Sequence, residues 1–350
     1  MKEARLSDEE LIEKIRARKE ELGSRLLILS HHYQRKEIVA LGDFIGDSFE
    51  LSRKAAQDRE CRYIVFCGVH FMAQSAAILA NPQQVVQIPD EEAGCRMADM
   101  ADIYTVGSAY RQLEALLGSG EVIPVAYMNS EADLKAFCGE NSGIVCTSSN
   151  ADKALKWAFE RAQKVLFFPD RHLGHNTGFG LGLSAEQMLV WSPDKPLGGN
   201  DPDALKRARL ILWDGFCHVH TRFTCDHIKQ RRARFPEAKI IVHPECPREV
   251  VAMADAFGST SRIEKYVKEA PSGSTIIIGT EINLIERLAL AYPDKKVLDL
   301  DRSLCPNMFK INLANLFETL EHLGEMNVVR VDEAIKAGAR VALDRMLSLA

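Results

Sequence analysis

The sequence predicts an α/β protein made of three homologous αβα sandwich domains, each with a short parallel sheet, set around a pseudo-threefold axis. Three observations lead there. Short apolar runs rich in β-formers alternate with helix-length segments along most of the 350 residues, the pattern of parallel strands joined by crossover helices. Short polar signatures recur in the same order at the ends of these runs, which marks an internal repeat. Each repeat also closes on a cysteine, at Cys95, Cys217 and Cys305.

The elements follow in order. Ser7 with Glu10 forms a capping box, and Leu11, Ile12, Ile15 and Leu22 follow at helical spacing, so an amphipathic helix is expected over 7–22. The strand runs of the first repeat, residues 1–118, include RLLILS, RYIVFCG and QVVQIP. The second repeat, 119–235, holds EVIPVAY, GIVCTS, KVLFFP and RLILW, and the third, 236–308, holds KIIVHP, TIIIGT and KVLDL. Residues 309–350 read as C-terminal helices that pack back on the first domain.

The repeat is carried by position. SHHY (30–33), AYMNS (126–130) and VHPE (242–245) end the first strands, and GDS (46–48), CTS (146–148) and GST (258–260) follow a helix later. The interval from His31 to Asp47 equals that from His243 to Ser259, and Ser48 to Cys95 differs by only two positions from Thr260 to Cys305. The middle repeat is longer between Ser148 and Cys217, and its surplus falls in the Gly- and Pro-rich stretch 176–208. That stretch is an inserted loop, whose path stays open between a lid and a surface excursion.

Composition narrows the function. Apolar residues make up 46%, enough for a sizeable core, and the net charge is −5 with scattered basic residues. No nucleic-acid footprint stands out, which favours a small-molecule enzyme. The charged N-terminus lacks the apolar core of a signal peptide, and no 18 apolar residues run together, so a cytoplasmic protein without a membrane span is expected. Nine cysteines in such a compartment point to core thiols plus a few metal or catalytic ones rather than a disulfide framework.

In parallel sheets ligands sit beyond the carboxyl ends of the strands. Every signature above lies there, so three related domains could turn all of them toward one cavity. Strand alternation pairs His31 with Tyr33, Tyr127 with Asn129, and His243 with Glu245. Ser48, Ser148, Ser259 and Thr260 fall at expected helix N-termini, where hydroxyls and free N–H groups suit a carboxylate or phosphate; a plain helix cap is the alternative for each. One cysteine per repeat at a common point can supply three thiolates to a 4Fe-4S cluster, leaving one iron open as a Lewis acid. The remaining cysteines, Cys61, Cys67, Cys138, Cys146, Cys225 and Cys246, lack a threefold equivalent. Cys67 reads as core, and Cys246 as cavity wall. The crowded stretch WDGFCHVHTRFTC (213–225) suggests zinc, but Cys217, His218 and His220 fit neither of the usual paired spacings.

These residues resemble the quinolinate synthase family. The resemblance runs from about residue 26 to about 312 and rests on H-x-Y-Q at 31–34, GDS at 46–48, GVHFMA at 68–73, AGC at 93–95, Y-x-N-S at 127–130 and CTS at 146–148. It continues through PD-x-x-LG at 169–174, VHPECP at 242–247, GST at 258–260, IGTE at 278–281 and CPNM at 305–308. It implies condensation of iminoaspartate with dihydroxyacetone phosphate to quinolinate, with loss of phosphate and two waters, in de novo NAD biosynthesis. Contact with an aspartate-oxidising enzyme that supplies iminoaspartate goes with that activity.

The family's cluster cysteines fall on Cys95, Cys217 and Cys305. Its substrate contacts fall on His31, Ser48, Tyr127, Asn129, Ser148, His243, Glu245, Ser259 and Thr260, with Tyr33 in proton transfer. Glu245 and Tyr33 are the candidates for moving protons, and His31 and His243 for supplying hydrogen bonds or charge. Of the crowded stretch, only Cys217 is then expected to bind metal; His218 and His220 become neighbours of the site and Cys225 a core thiol. Two departures stand out. The insertion at 176–208 exceeds that of compact members, and Asp299 and Arg302 occupy positions where some members carry extra cysteines. The rival readings are a zinc-dependent aldolase or lyase and a non-enzymatic iron–sulfur sensor.

Overall fold

A computed structural model describes residues 6–349. The chain begins with α1 (Asp8–Leu22), β1 (Leu26–His31), α2 (Lys36–Val39), β2 (Phe44–Gly46), α3 (Ser48–Gln57), β3 (Tyr63–Cys67), α4 (His70–Leu79) and β4 (Val85–Gln87). It continues through α5 (Ile103–Leu117), β5 (Val122–Tyr127), α6 (Ala132–Glu140), β6 (Ile144–Cys146), α7 (Ala151–Phe159), β7 (Lys164–Phe168), α8 (Arg171–Gly180), β8 (Met188–Trp191), α9 (Pro202–Arg207) and β9 (Leu210–Trp213). The third stretch holds α10 (Cys225–Arg234), β10 (Lys239–Val242), α11 (Arg248–Met253), β11 (Ala256–Phe257), α12 (Thr260–Glu269), β12 (Thr275–Gly279), α13 (Ile282–Ala291) and β13 (Lys296–Asp299). Two helices close the chain, α14 (Leu313–Glu321) and α15 (Glu333–Leu347).

The strands form three all-parallel sheets flanked by helices, the expected α/β architecture. Their orders are β2-β1-β3-β4, β6-β5-β7-β9-β8 and β11-β10-β12-β13. The first and third are the same sheet written twice, and the second repeats it with β8 added outside β9. Each order puts the first strand beside a two- or three-residue edge strand, β2, β6 or β11, which leads into the second polar signature of the repeat. Burial explains the apolar runs. Every residue of β1, β5 and β7 is buried, as expected where helices cover both faces of a parallel sheet.

The insertion is folded. It contains the end of α8, the strand β8, which runs parallel to β9 from Met188 opposite Leu210 to Trp191 opposite Trp213, and α9. A turn at Gly198 (φ 63°) lies so close to the buried indole of Trp191 that a Cβ there would come within 2.5 Å of the ring. The sequence stretch that left a lid open is therefore an extra sheet edge.

Two compact units emerge, one of residues up to Gly94 with Cys305–Val331, the other of Cys95–Leu304 with the chain from Asp332 onward. In the first, α1 packs on α14, and Arg18 Nε donates to Leu320 O at 3.2 Å. In the second, α15 packs on α6 and β6, where the sequence reading sent both C-terminal helices to the first domain. Small residues draw α15 there. A Cβ on Gly139 of α6 would meet Gly338 O of α15 at 1.9 Å, so only two facing glycines let the backbones approach this closely.

Candidate active site

The site in the larger unit is built at the ends of two strands, β5 and β10. Tyr127 is the last residue of β5, and His243 and Glu245 follow β10. Their loops are fixed by backbone pairing: His243 N donates to Gly279 O at 3.0 Å and Cys246 N to His243 O at 3.0 Å. Asn176 of α8 clamps the same loop, its Nδ2 donating to Pro244 O at 2.8 Å and Cys246 O at 2.9 Å.

Glu245 is the hub. Tyr127 Oη donates to its Oε1 at 2.5 Å, and His220 Nδ1 lies 2.8 Å from its Oε2. His220 Nε2 reaches Thr280 Oγ1 at 3.1 Å, and the His220 ring stacks on that of His243 at 4.3 Å. All five side chains are buried. Burial by itself pushes the Glu245 carboxyl up, but the charges of His220 and His243 and the hydrogen bonds from His220 and Tyr127 outweigh it and hold the group below the usual carboxylate range. The result is a buried anion beneath two imidazoles.

Sequence reasoning made His220 a neighbour of the site and gave it no role. The segment after β9 is a turn, with His220 N donating to Cys217 O at 3.2 Å and Thr221 N to the same oxygen at 3.0 Å. A turn brings residue i+3 back beside residue i. Ligand atoms of Cys217, His220 and Glu245 consequently lie within 4.8 Å of one another. The Cys-x-x-His spacing was the available signal. His218, by contrast, is half-buried and its Nε2 has no partner.

Asp170, the aspartate of the PD-x-x-LG motif, is the second addition. It caps α8 by accepting from Leu173 N at 2.7 Å and also takes the N–H of Cys217. Burial, reinforced by the charge of Glu245, pushes its carboxyl well up. Two buried carboxyls, one pushed up and the other held down, thus share one neighbourhood, the environment-driven splitting that marks acid–base sites.

The other expected site residues distribute as follows. In the larger unit, Asn129 is partly buried in the turn after β5, Ser259 caps α12 by accepting from Arg262 N, and Thr260 is the first residue of that helix. Ser148 sits in the turn before α7, whose cap is Asn150, so it precedes a helix start instead of forming one. Ser148 and Ser259 line one cavity. In the smaller unit, His31 ends β1 and accepts at Nδ1 from Tyr33 N at 3.2 Å, with their rings 4.9 Å apart. Ser48 opens α3, but Asp47 is the cap, its Oδ1 accepting from Phe49 N and Glu50 N, both at 3.0 Å.

The thiols sort into two sets. Cys61, Cys67, Cys138, Cys146 and Cys246 are buried, and burial first of all pushes their thiols up, to about 12 for Cys61 and Cys67. Such thiols resist becoming the thiolates that bind iron. Cys95, Cys217, Cys225 and Cys305 are only partly buried. Cys95 and Cys217 lie beyond β4 and β9, and Cys305 beyond β13, at one topological point of each sheet. Cys225 instead opens α10. The donor set of three thiols at equivalent points fits the chemistry of a three-cysteine iron–sulfur cluster.

Comparison with known proteins agrees with this geometry. The sequence model of the family described as "Quinolinate synthetase A protein" matches residues 13–348. A quinolinate synthase of Corynebacterium glutamicum is 51% identical, covering 99% of this chain and 89% of the relative. Quinolinate synthases of Streptomyces coelicolor and Bacillus cereus are 49% and 45% identical, each covering 98% of this chain and 89% and 94% of the relatives.

Proposed function

Because the chain belongs to the quinolinate synthetase A protein family, we propose that this enzyme condenses iminoaspartate with dihydroxyacetone phosphate to quinolinate, releasing phosphate and two waters, as a step of de novo NAD biosynthesis. The observation that carries the reading is the buried Tyr127–Glu245–His220 chain beside Cys217. Condensation followed by two dehydrations needs groups that hold and move protons out of bulk water, and this network is such a set.

Cys95, Cys217 and Cys305 are the residues that would hold a 4Fe-4S cluster. When bound, the cluster supplies one iron without a protein ligand, a Lewis acid for substrate oxygen or nitrogen. Glu245 rests ionised and orients Tyr127 through one oxygen and His220 through the other. In this reading Glu245 and Tyr33 move protons, His31 and His243 supply hydrogen bonds or charge, and Asn129, Ser48, Ser148, Ser259 and Thr260 hold the anionic ends of the substrates. An aspartate-oxidising enzyme would be the source of iminoaspartate, a short-lived imine.

The test is an anaerobic preparation assayed for iron, sulfide and turnover. About four irons and four sulfides per chain, with quinolinate formed from iminoaspartate and the triose phosphate, is the expected result. A second reading keeps one specific support, since Cys217, His220 and Glu245 alone could hold a zinc ion. A colourless preparation carrying stoichiometric zinc and no sulfide would favour that reading and remove the cluster.

A further inference from the structure

Within the larger unit, the arm that carries Cys95 meets the arm that carries Cys217 at one residue, Met100. Cys95 leads into a run of tight turns: Asp99 N donates to Cys95 O at 3.1 Å, Met100 N donates to Met97 O at 3.1 Å, and Ala98–Met100 forms a single 3-10 turn. Such bonds leave few free dihedrals between Cys95 and Met100, so the two move as one piece. From the other side, Trp213 ends β9 and is fully buried, and its Nε1 donates to Met100 O at 2.7 Å. Phe216 N, the amide just before Cys217, donates to Met100 Sδ at 3.4 Å. Gly215 keeps the approach open, since a Cβ there would stand 2.4 Å from Pro169 O and 3.4 Å from Met100 Cβ.

The indole bond alone would be ordinary, because a buried Trp N–H usually finds an acceptor. The bond to sulfur is not. A thioether is a weak acceptor, and a main-chain amide pairs most often with a carbonyl. Here the amide beside Cys217 is paired with a side chain, so its position depends on which residue stands at 100. The same arm is backed by Arg171, whose N donates to Gly215 O at 2.9 Å and whose guanidinium pairs with Asp214. Past Phe216 the chain turns at once, with Cys217 O accepting from both His220 N and Thr221 N. Cys217 therefore sits in a stretch held on both sides, and Met100 links that stretch to the turns that carry Cys95.

We propose that Met100 is a positioning residue for the cluster: through its carbonyl and its sulfur it fixes the spacing of Cys95 and Cys217, so that the two thiols are held in place before any metal arrives. This role rests on the three-cysteine reading above, to which it adds the contact that sets the geometry of two of the three ligands. Groups that orient metal ligands from behind are worth about 10- to 100-fold in metal affinity, and a single thioether bond belongs at the low end of that range.

Release of iron from the anaerobically loaded full chain to an excess of chelator tests it, with two replacements at one position. Met100→Leu keeps the volume and removes the acceptor, whereas Met100→Gln keeps the unbranched shape and offers an amide oxygen to Phe216 N. Iron should leave Met100→Leu about tenfold faster than wild type, and Met100→Gln at close to the wild-type rate. A packing role gives the opposite order, because an apolar contact favours Leu over Gln. Equal release from wild type and Met100→Leu, or release from Met100→Gln as fast as from Met100→Leu, overturns the proposal. The metal-free chain gives a second measurement that needs no cluster. Dibromobimane, which bridges neighbouring thiols, should join Cys95 to Cys217 in wild type, as mapped by mass spectrometry after digestion, and the share of bridged label should fall severalfold in Met100→Leu. No such bridge in wild type, or an equal share in both chains, also overturns it. Wild-type chain that forms the Met100-dependent bridge but assembles no cluster overturns the three-cysteine reading and leaves the brace between the two arms standing.

Discussion

The imidazole of His220 lies flat against that of His243, with ring planes only 17° apart. Two stacked imidazoles repel each other once both carry a proton. The carboxylate of Glu245, 2.8 Å from His220 Nδ1 and 3.8 Å from His243 Nδ1, offsets that repulsion. The three residues are therefore one electrostatic unit, and changes to any of them should not add independently.

Glu245→Gln tests the unit. The amide keeps the volume but removes the charge and one of two acceptors, leaving either Tyr127 or His220 without its partner. Turnover is expected to fall by about 10²–10⁴-fold, the usual worth of a proton-transferring group. An unpaired buried donor costs about 1–3 kcal/mol, which a thermal melt would register as a lower midpoint. His220→Gln should lower turnover nearly as much; normal activity in that variant would reduce the ring to packing.

Thiol accessibility distinguishes the ligand set without an activity assay. In the native chain stripped of metal, the partly buried Cys95, Cys217, Cys225 and Cys305 should react quickly with a thiol reagent, and the five buried cysteines only on unfolding. With the cluster in place, Cys225 alone among the fast set should remain reactive. Cys225→Ala should keep full iron, whereas Cys95→Ala, Cys217→Ala and Cys305→Ala should each lose the cluster. Full iron in all three would remove the ligand assignment.

Much of this was legible because the repeat fixes position. The equal intervals His31 to Asp47 and His243 to Ser259 correspond to β1 to α3 and β10 to α12, and the strand runs all fall on strands. What escaped was local geometry. His220 was read only as a neighbour of the site, because its place depends on the turn that Cys217 opens, which returns residue i+3 beside residue i. The edge strand β8 was missed because its flanking glycines and prolines read as loop, although Trp191 buries itself against Gly198. The docking of α15 depends on Gly139 and Gly338 facing each other across distant sequence, which no local pattern reveals.

That contact makes a prediction of its own. Gly139→Ala places a methyl 1.9 Å from Gly338 O, so α6 and α15 must separate. A loss of about 1–3 kcal/mol is expected, the usual cost of overpacking, seen as a lower unfolding midpoint. Gly338→Ala should cost less, since its nearest obstacles are Glu140 Oε1 at 3.0 Å and Ala136 at 3.2 Å, and a side-chain end can move. Equal stability of Gly139→Ala and wild type would mean that α15 does not hold this position.

Lys135 provides a test with a definite pH sign. It is fully buried on α6, and its Nζ donates to Ser130 O, in the turn that follows Tyr127. Burial above all lowers its pKa to about 8, against partial compensation from Glu131 and Asp133. Between about 8 and the unfolded value of about 10.5 the unfolded chain holds a proton that the folded chain lacks, so this group makes folding more favourable as pH rises. Below about 8 both states are protonated and the full burial penalty applies, on the order of 3 kcal/mol. Lys135→Met removes that penalty together with the bond to Ser130. In metal-free chain unfolded by denaturant, the stability of Lys135→Met relative to wild type should therefore be greatest at pH 7 and fall by up to about 3 kcal/mol by pH 10.5. A difference that does not change with pH would mean that the ammonium stays charged throughout, held by its acidic neighbours.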